Sequence, residues 1–163
     1  MKAKPRIYIE TSVISYLTSR ASRDFIISMC QQITRYWWDN IADRKFELVS
    51  STVVRQEIGR GNRNAAQQRL EVLESITLLE TPLEEMSALA ENLVLAGAVP
   101  LRAKTDALHI AIAAINGVEY LATWNFKHIA NTNRLPLIHR VCETAGYTPT
   151  TICTPLELLW EVS

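Results

Sequence analysis

Short β-branched or aromatic runs alternate along this chain with longer stretches whose apolar residues recur at helical spacing. "RIYIE" at residues 6–10 reads as a central strand and residues 46–50 as a second. "ITLLE" from Ile76, residues 119–123, and "TTICT" near the C-terminus supply three more. Between the first two lie a short helix from Val13, capped by Thr11 or Ser12, and a helix over residues 22–40 with the stripe Ile26, Met29, Cys30, Ile33 and Trp37. "VVRQEI" follows Ser51 or Thr52 as cap and is interrupted at Gly59 and Gly61; a further helix covers residues 63–75. Residues 82–96 carry Leu83, Met86, Ala90 and Leu93 on one stripe, with Pro82 in the first turn and Gly97 as the stop. Residues 105–116 form the next helix, ended by Gly117, and a Pro155-led helical turn closes the chain. Strands joined by helices of ten residues or more return in the same direction, so the pattern predicts an α/β fold with a largely parallel, five-stranded sheet.

A chain of 163 residues suits one domain, here taken as residues 1–163, and is long enough to bury a real core. With 48% hydrophobic and 21% charged residues it has the composition of a globular domain, and no repeat, low-complexity segment or linker divides it. Seventeen basic side chains balance seventeen acidic ones. No global field therefore draws nucleic acid in, which argues against a bulk coat protein but says little about an enzyme that handles one strand. Cys30, Cys142 and Cys153 are odd in number and far apart, which disfavours a disulfide framework or structural zinc and fits a reducing cytoplasm. The N-terminus lacks an apolar signal core and no run of 18 apolar residues exists, so the expectation is a cytoplasmic protein with no membrane partner.

The acids fall into a pattern once placed on these elements. Parallel sheets build their sites at the carboxyl ends of their strands. Glu10 closes the first strand, Glu57 lies on the helix after the second, Asp106 opens the helix before the fourth, and Asn125 sits just past that strand. Clustered carboxylates repel one another unless a cation compensates. Oxygen donors without nearby His or Cys favour Mg²⁺ or Mn²⁺ over zinc. Thr11, Ser12 and Thr123 are candidates for hydroxyl contacts to metal-bound water or to phosphate.

"IYIETSVISYL", "SSTVVRQEIGRG", "TDALHIAIAAINGVEYLATWNFKHIAN" and "TICTPLELL", in that order, resemble the PIN-domain family, which includes the VapC-type toxins of toxin–antitoxin pairs. The resemblance covers nearly the whole chain and is most specific over its third piece. It implies a three-layer α/β/α sandwich and a Mg²⁺- or Mn²⁺-dependent ribonuclease working through clustered acids. Homodimerisation and a small antitoxin partner are implied as well. Carried over by position, the first acid is Glu10, the second Glu57 and the third Asp106; the hydroxyl after the first acid is Thr11 or Ser12, and the fourth acidic position is Asn125. The family usually has Asp where this chain has Glu10, and an acid where it has Asn125. A missing charge at Asn125 points to one strong metal position rather than two.

The leading reading is an endoribonuclease acting on exposed single-stranded or loop RNA. Glu10 and Asp106 are its metal ligands, and Glu57 is a ligand or the base that orients water. The alternative is a PIN-like module that binds RNA or protein with little cleavage. Phosphoryl transfer as in haloacid-dehalogenase-type phosphatases is disfavoured, because "ETSVI" lacks their D-x-D-x-T. His109 shares a helix face with Asp106 and either orients that carboxylate or is an ordinary core histidine. Lys127 and His128 lie close enough in sequence to touch phosphate but read equally as surface residues. Trp37 is expected in the core or a dimer contact. Arg55, Arg60, Arg63 and Arg69 are either RNA guides or a solvated face.

Overall fold

A computed structural model, which describes residues 2–160, contains all five expected strands: β1 (Arg6–Ile9), β2 (Glu47–Ser50), β3 (Thr77–Leu78), β4 (Tyr120–Ala122) and β5 (Thr151–Cys153). Residue 1 and residues 161–163 of the expected domain lie outside the described residues. Every strand pair is parallel, in the order β3-β2-β1-β4-β5. β1 is central, and its Ile7, Tyr8 and Ile9 are buried without remainder. This explains why the strand is continuous in apolar and aromatic residues: both of its faces are covered.

The helices are α1 (Thr11–Thr18), α2 (Phe25–Trp37), α3 (Asp43–Lys45), α4 (Thr52–Ile58), α5 (Arg63–Leu73), α6 (Leu83–Leu95), α7 (Lys104–Ile115) and α8 (Leu135–Thr144). Right-handed crossovers place α1, α2, α4 and α5 on one face of the sheet and α6, α7 and α8 on the other. The packing agrees, since α1 lies against α2, α4 and α5 while α6 lies against α7 and α8. The architecture is the expected three-layer α/β/α sandwich. α7 is buried along most of its length, with Ala107, Ala111, Ala113 and Ala114 inside, and α6 packs against it.

Three local expectations need correction. α1 begins at Thr11 rather than Val13, and its cap is Glu10, whose carboxylate accepts the Ser12 N–H. α2 begins at Phe25 and turns at its C-terminal end into a π-helical turn, Trp38–Ala42. Its buried face is also rotated from the expected stripe: Cys30 and Trp37 are inside, but so are Gln31 and Thr34, while Ile26 and Met29 face out. Polar demands from neighbouring segments set this rotation. Gln31 holds the α1–α2 connection by accepting from Ser22 N–H and donating to Ser19 Oγ and Arg20 C=O, and Thr34 Oγ1 accepts the Trp124 indole N–H. Lastly, α8 was not among the expected helices, although Leu135, Ile138, Val141 and Cys142 recur on it at helical spacing and pack on the core.

Candidate active site

β1 leads by α1 and α2 to β2 on one side, and β4 leads by α8 to β5 on the other. The boundary between β1 and β4 is therefore a topological switch point, where helices depart to opposite faces and leave a crevice at the carboxyl ends of the strands. Glu10 and Thr123 follow those two strands directly.

Glu10 is 4% exposed and accepts three hydrogen bonds: Ser12 N–H to Oε2 (3.0 Å), and Ser12 Oγ (2.6 Å) and Thr123 Oγ1 (2.5 Å) to Oε1. The two hydroxyls are themselves acceptors, Ser12 Oγ from Trp124 N–H and Thr123 Oγ1 from Asn125 N–H. Each has one proton and gives it to Glu10, so neither has a proton left for phosphate or water. Their place is to support the acid. The extra methylene of Glu, relative to Asp, is taken up by curling the carboxylate back over the first turn of α1.

Asp106 lies in the first turn of α7 and is partly buried. Burial pushes its carboxyl above the ordinary Asp range; the Asn125 side chain opposes that rise, the Glu10 charge adds to it, and His128 lowers it. Asn125 accepts His128 N–H on Oδ1 (3.0 Å), which turns its amide nitrogen to Asp106. Asn125 thus presents a donor to the acid, while its Oδ1, with a single donor, keeps a free lone pair.

Glu57, near the end of α4, faces a different set of groups. Its Oε1 accepts Thr11 Oγ1 (2.7 Å) and His109 Nε2 (2.5 Å). Burial raises this carboxyl, but the His109 hydrogen bond, the Thr11 hydroxyl and Arg60 together hold it below the ordinary Glu range. His109 is fully buried and reaches Glu57, not the Asp106 of its own helix. Its other nitrogen, Nδ1, meets Tyr8 Oη at 2.7 Å, and Tyr8 Oη meets Ser51 Oγ at 2.7 Å. Tyr8 and Ser51 carried no functional signal in the sequence: one is an aromatic in a strand, the other a helix cap. Of the arginines, Arg60 acts on Glu57 through charge, whereas Arg69 closes the α4–α5 connection by donating to Ile58 and Arg60 carbonyls. Trp37 is in the core.

The four expected residues therefore divide into two adjacent groups, Glu10 with Asp106 and Asn125, and Glu57 with His109, bridged by the neighbours Glu10 and Thr11. Among the described residues no three His, Cys, Asp or Glu side chains form a ready-made metal cluster. Nor does a Lys or Arg among them form an ion pair with Glu10 or Asp106. Two close carboxylates thus lack a cation, and Glu10 Oε2, with a single donor, keeps a free lone pair. This donor set fits one Mg²⁺ or Mn²⁺ that retains most of its waters; it does not fit zinc or a pair of ions.

No protein-family model matches the chain, and neither does any curated protein. Solved structures do. VapC20 of Mycobacterium tuberculosis, a sarcin–ricin-loop-cleaving toxin, aligns over 87% of this chain and 96% of its own, with a TM-score of 0.58 and 14% identity. VapBC2 from Rickettsia felis, bound to a DNA fragment from its promoter, aligns over 91% of this chain and 97% of its own, with a TM-score of 0.50 and 12% identity. The chain has the VapC fold. At such identities the likeness is one of backbone, and in this chain the VapC fold brings the ends of β1 and β4 side by side around Glu10.

Proposed function

We propose that this chain is a metal-dependent endoribonuclease of the PIN-domain, VapC-like type, with an antitoxin partner. The observation that carries the reading is the pair Glu10 and Asp106 at the switch point of the sheet, mutually repelling and without a basic partner. The fold shared with VapC20, a toxin that cleaves the sarcin–ricin loop, supports it, and the VapBC2 structure supports an antitoxin partner. Bound between Glu10 and Asp106, Mg²⁺ or Mn²⁺ supplies charge neutralisation and a hold on a phosphodiester oxygen.

The remaining roles belong to the chain's own side chains. Ser12 and Thr123 fix the Glu10 carboxylate, and Asn125 fixes Asp106. Glu57, ionised because its carboxyl is held low, accepts a proton from the attacking water. The water oxygen bonds to phosphorus, the bond from phosphorus to the leaving ribose oxygen breaks, and solvent protonates that oxygen. Phe25 and Ile26, exposed on α2 beside Met29, supply an apolar face for the proposed homodimer. No helix among the described residues is long and apolar enough to cross a membrane.

A second reading, an RNA- or protein-binding module that cleaves little, draws on Asn125 and on the lack of a third grouped ligand. A Mn²⁺-dependent cleavage assay on structured and single-stranded RNA separates the two. Cleavage by the wild type that disappears in Asp106→Asn is the expected result. Retained RNA binding with no cleavage by either protein overturns the nuclease reading.

A further inference from the structure

Tyr8, Ser51 and His109 form a buried polar chain that the chemistry above does not use. Its proton directions can be assigned atom by atom. Val54 N–H donates to Ser51 Oγ (3.2 Å), the capping bond of α4. At the other end Glu57 can only accept, so the neutral His109 ring has its hydrogen on Nε2 and a bare Nδ1, which accepts from Tyr8 Oη, and Tyr8 in turn accepts from Ser51 Oγ. Nε2 donates to Glu57 Oε1. Each donor has one acceptor, and each runs toward Glu57.

Protonating His109 breaks this order. Nδ1–H would then donate to Tyr8, and Tyr8 would turn its proton to Ser51. The Ser51 proton would be left without an acceptor in a residue that is 2% exposed, and an unsatisfied buried donor is costly. The chain also ends at a backbone amide, which neither takes up nor releases protons at neutral pH. It is a device for orientation, not a proton wire to solvent.

Its effect at Glu57 is asymmetric. Both protein donors, His109 Nε2 and Thr11 Oγ1, converge on Oε1, while Oε2 accepts no hydrogen bond from the described residues. We propose that His109 is the positioning residue of this site, locked as the neutral Nε2–H tautomer by Glu57, Tyr8 and Ser51, and that it pins Glu57 Oε1 so that Oε2 is the oxygen presented to water. The proposal rests on the nuclease reading for the use of Oε2, but not for the tautomer.

Two measurements test it. Nitrogen-15 NMR of histidine-labelled, metal-free protein at neutral pH is expected to show His109 with a bare Nδ1 and a protonated Nε2, and Tyr8→Phe is expected to shift the Nδ1 resonance through loss of its hydrogen bond. An imidazolium or an Nδ1–H tautomer in the wild type overturns the proposal. In RNA cleavage, His109→Ala is expected to lower kcat by about 100-fold with KM little changed, as for loss of orientation rather than binding. His109→Gln, whose amide can donate to Glu57, is expected to recover at least tenfold of that loss, and it serves equally if the alanine variant does not fold. A wild-type kcat in His109→Ala, or a kcat in His109→Gln about 100-fold or more below wild type, overturns the role. If the wild type cuts no RNA, the nuclease reading and the use of Oε2 fall together, while the imidazole spectrum still decides whether the chain runs one way.

Discussion

Glu10 receives three protein hydrogen bonds, whereas Asp106 is met by the amide of Asn125. Removing the Glu10 carboxylate strands Ser12 N–H and two hydroxyls in a buried position, so Glu10→Ala is expected to lose about 1–3 kcal/mol, measured by urea denaturation. Asp106 has the opposite character. Its carboxyl is raised in the folded chain, so the ionised form is tolerated less well there than in the unfolded chain. Stability from this group is full below the ordinary Asp range and is lost as pH rises through the raised value. Asp106→Asn is therefore expected to remove that loss and to melt at neutral pH no lower than wild type. Glu57 titrates with the reverse sign: its lowered carboxyl stabilises the fold above the ordinary Glu range, and that stability is lost as pH falls through the lowered value. Glu57→Gln should flatten the acid limb of the stability profile below the ordinary Glu range, measured by denaturation as pH is lowered.

At the level of elements, α4 and α7 carry the site because each is anchored at its start or along its length. Ser51 caps α4 and closes the bond to Tyr8, so Ser51→Ala removes two interactions at once. A loss of about 1–3 kcal/mol is expected from chemical denaturation, above the usual ~1 kcal/mol of a cap alone. α7 is buried along most of its length and packs on α6, and Ala113→Leu, at a fully buried position, should overpack the core by about 1–3 kcal/mol, measured by chemical denaturation. The alternation of elements was readable in the chain because apolar runs of β-branched residues and helical stripes are local signals. The positions of Glu10, Glu57 and Asp106 on those elements were readable for the same reason. What the sequence could not convey was pairing across space. Whether His109 would serve Asp106, three residues away, or Glu57, fifty-two residues away, depends on how α4 and α7 meet. The rotation of α2 was hidden likewise, since Gln31 and Thr34 turn inward only to satisfy Ser22 and Trp124 from other segments.

For the molecule as a whole, a cation between Glu10 and Asp106 should act as a ligand of the folded state alone. At a hundred times its dissociation constant it contributes about 2.7 kcal/mol, which for a domain of this size is a rise in Tm of about 5–10 °C. Thermal melts with and without Mn²⁺ check this, and a Glu10→Ala, Asp106→Asn double variant should show no rise. The same seam that creates the crevice also sets the order of its completion. Glu10 leaves the ribosome before its partner Thr123, which is 113 residues further on. Until β4 has been synthesised and threaded in beside β1, the first acid has no hydroxyl from the far strand and no Asp106 lodged opposite. A product cut short before that point is chemically unarmed, however much of α1 to α6 it has managed to build.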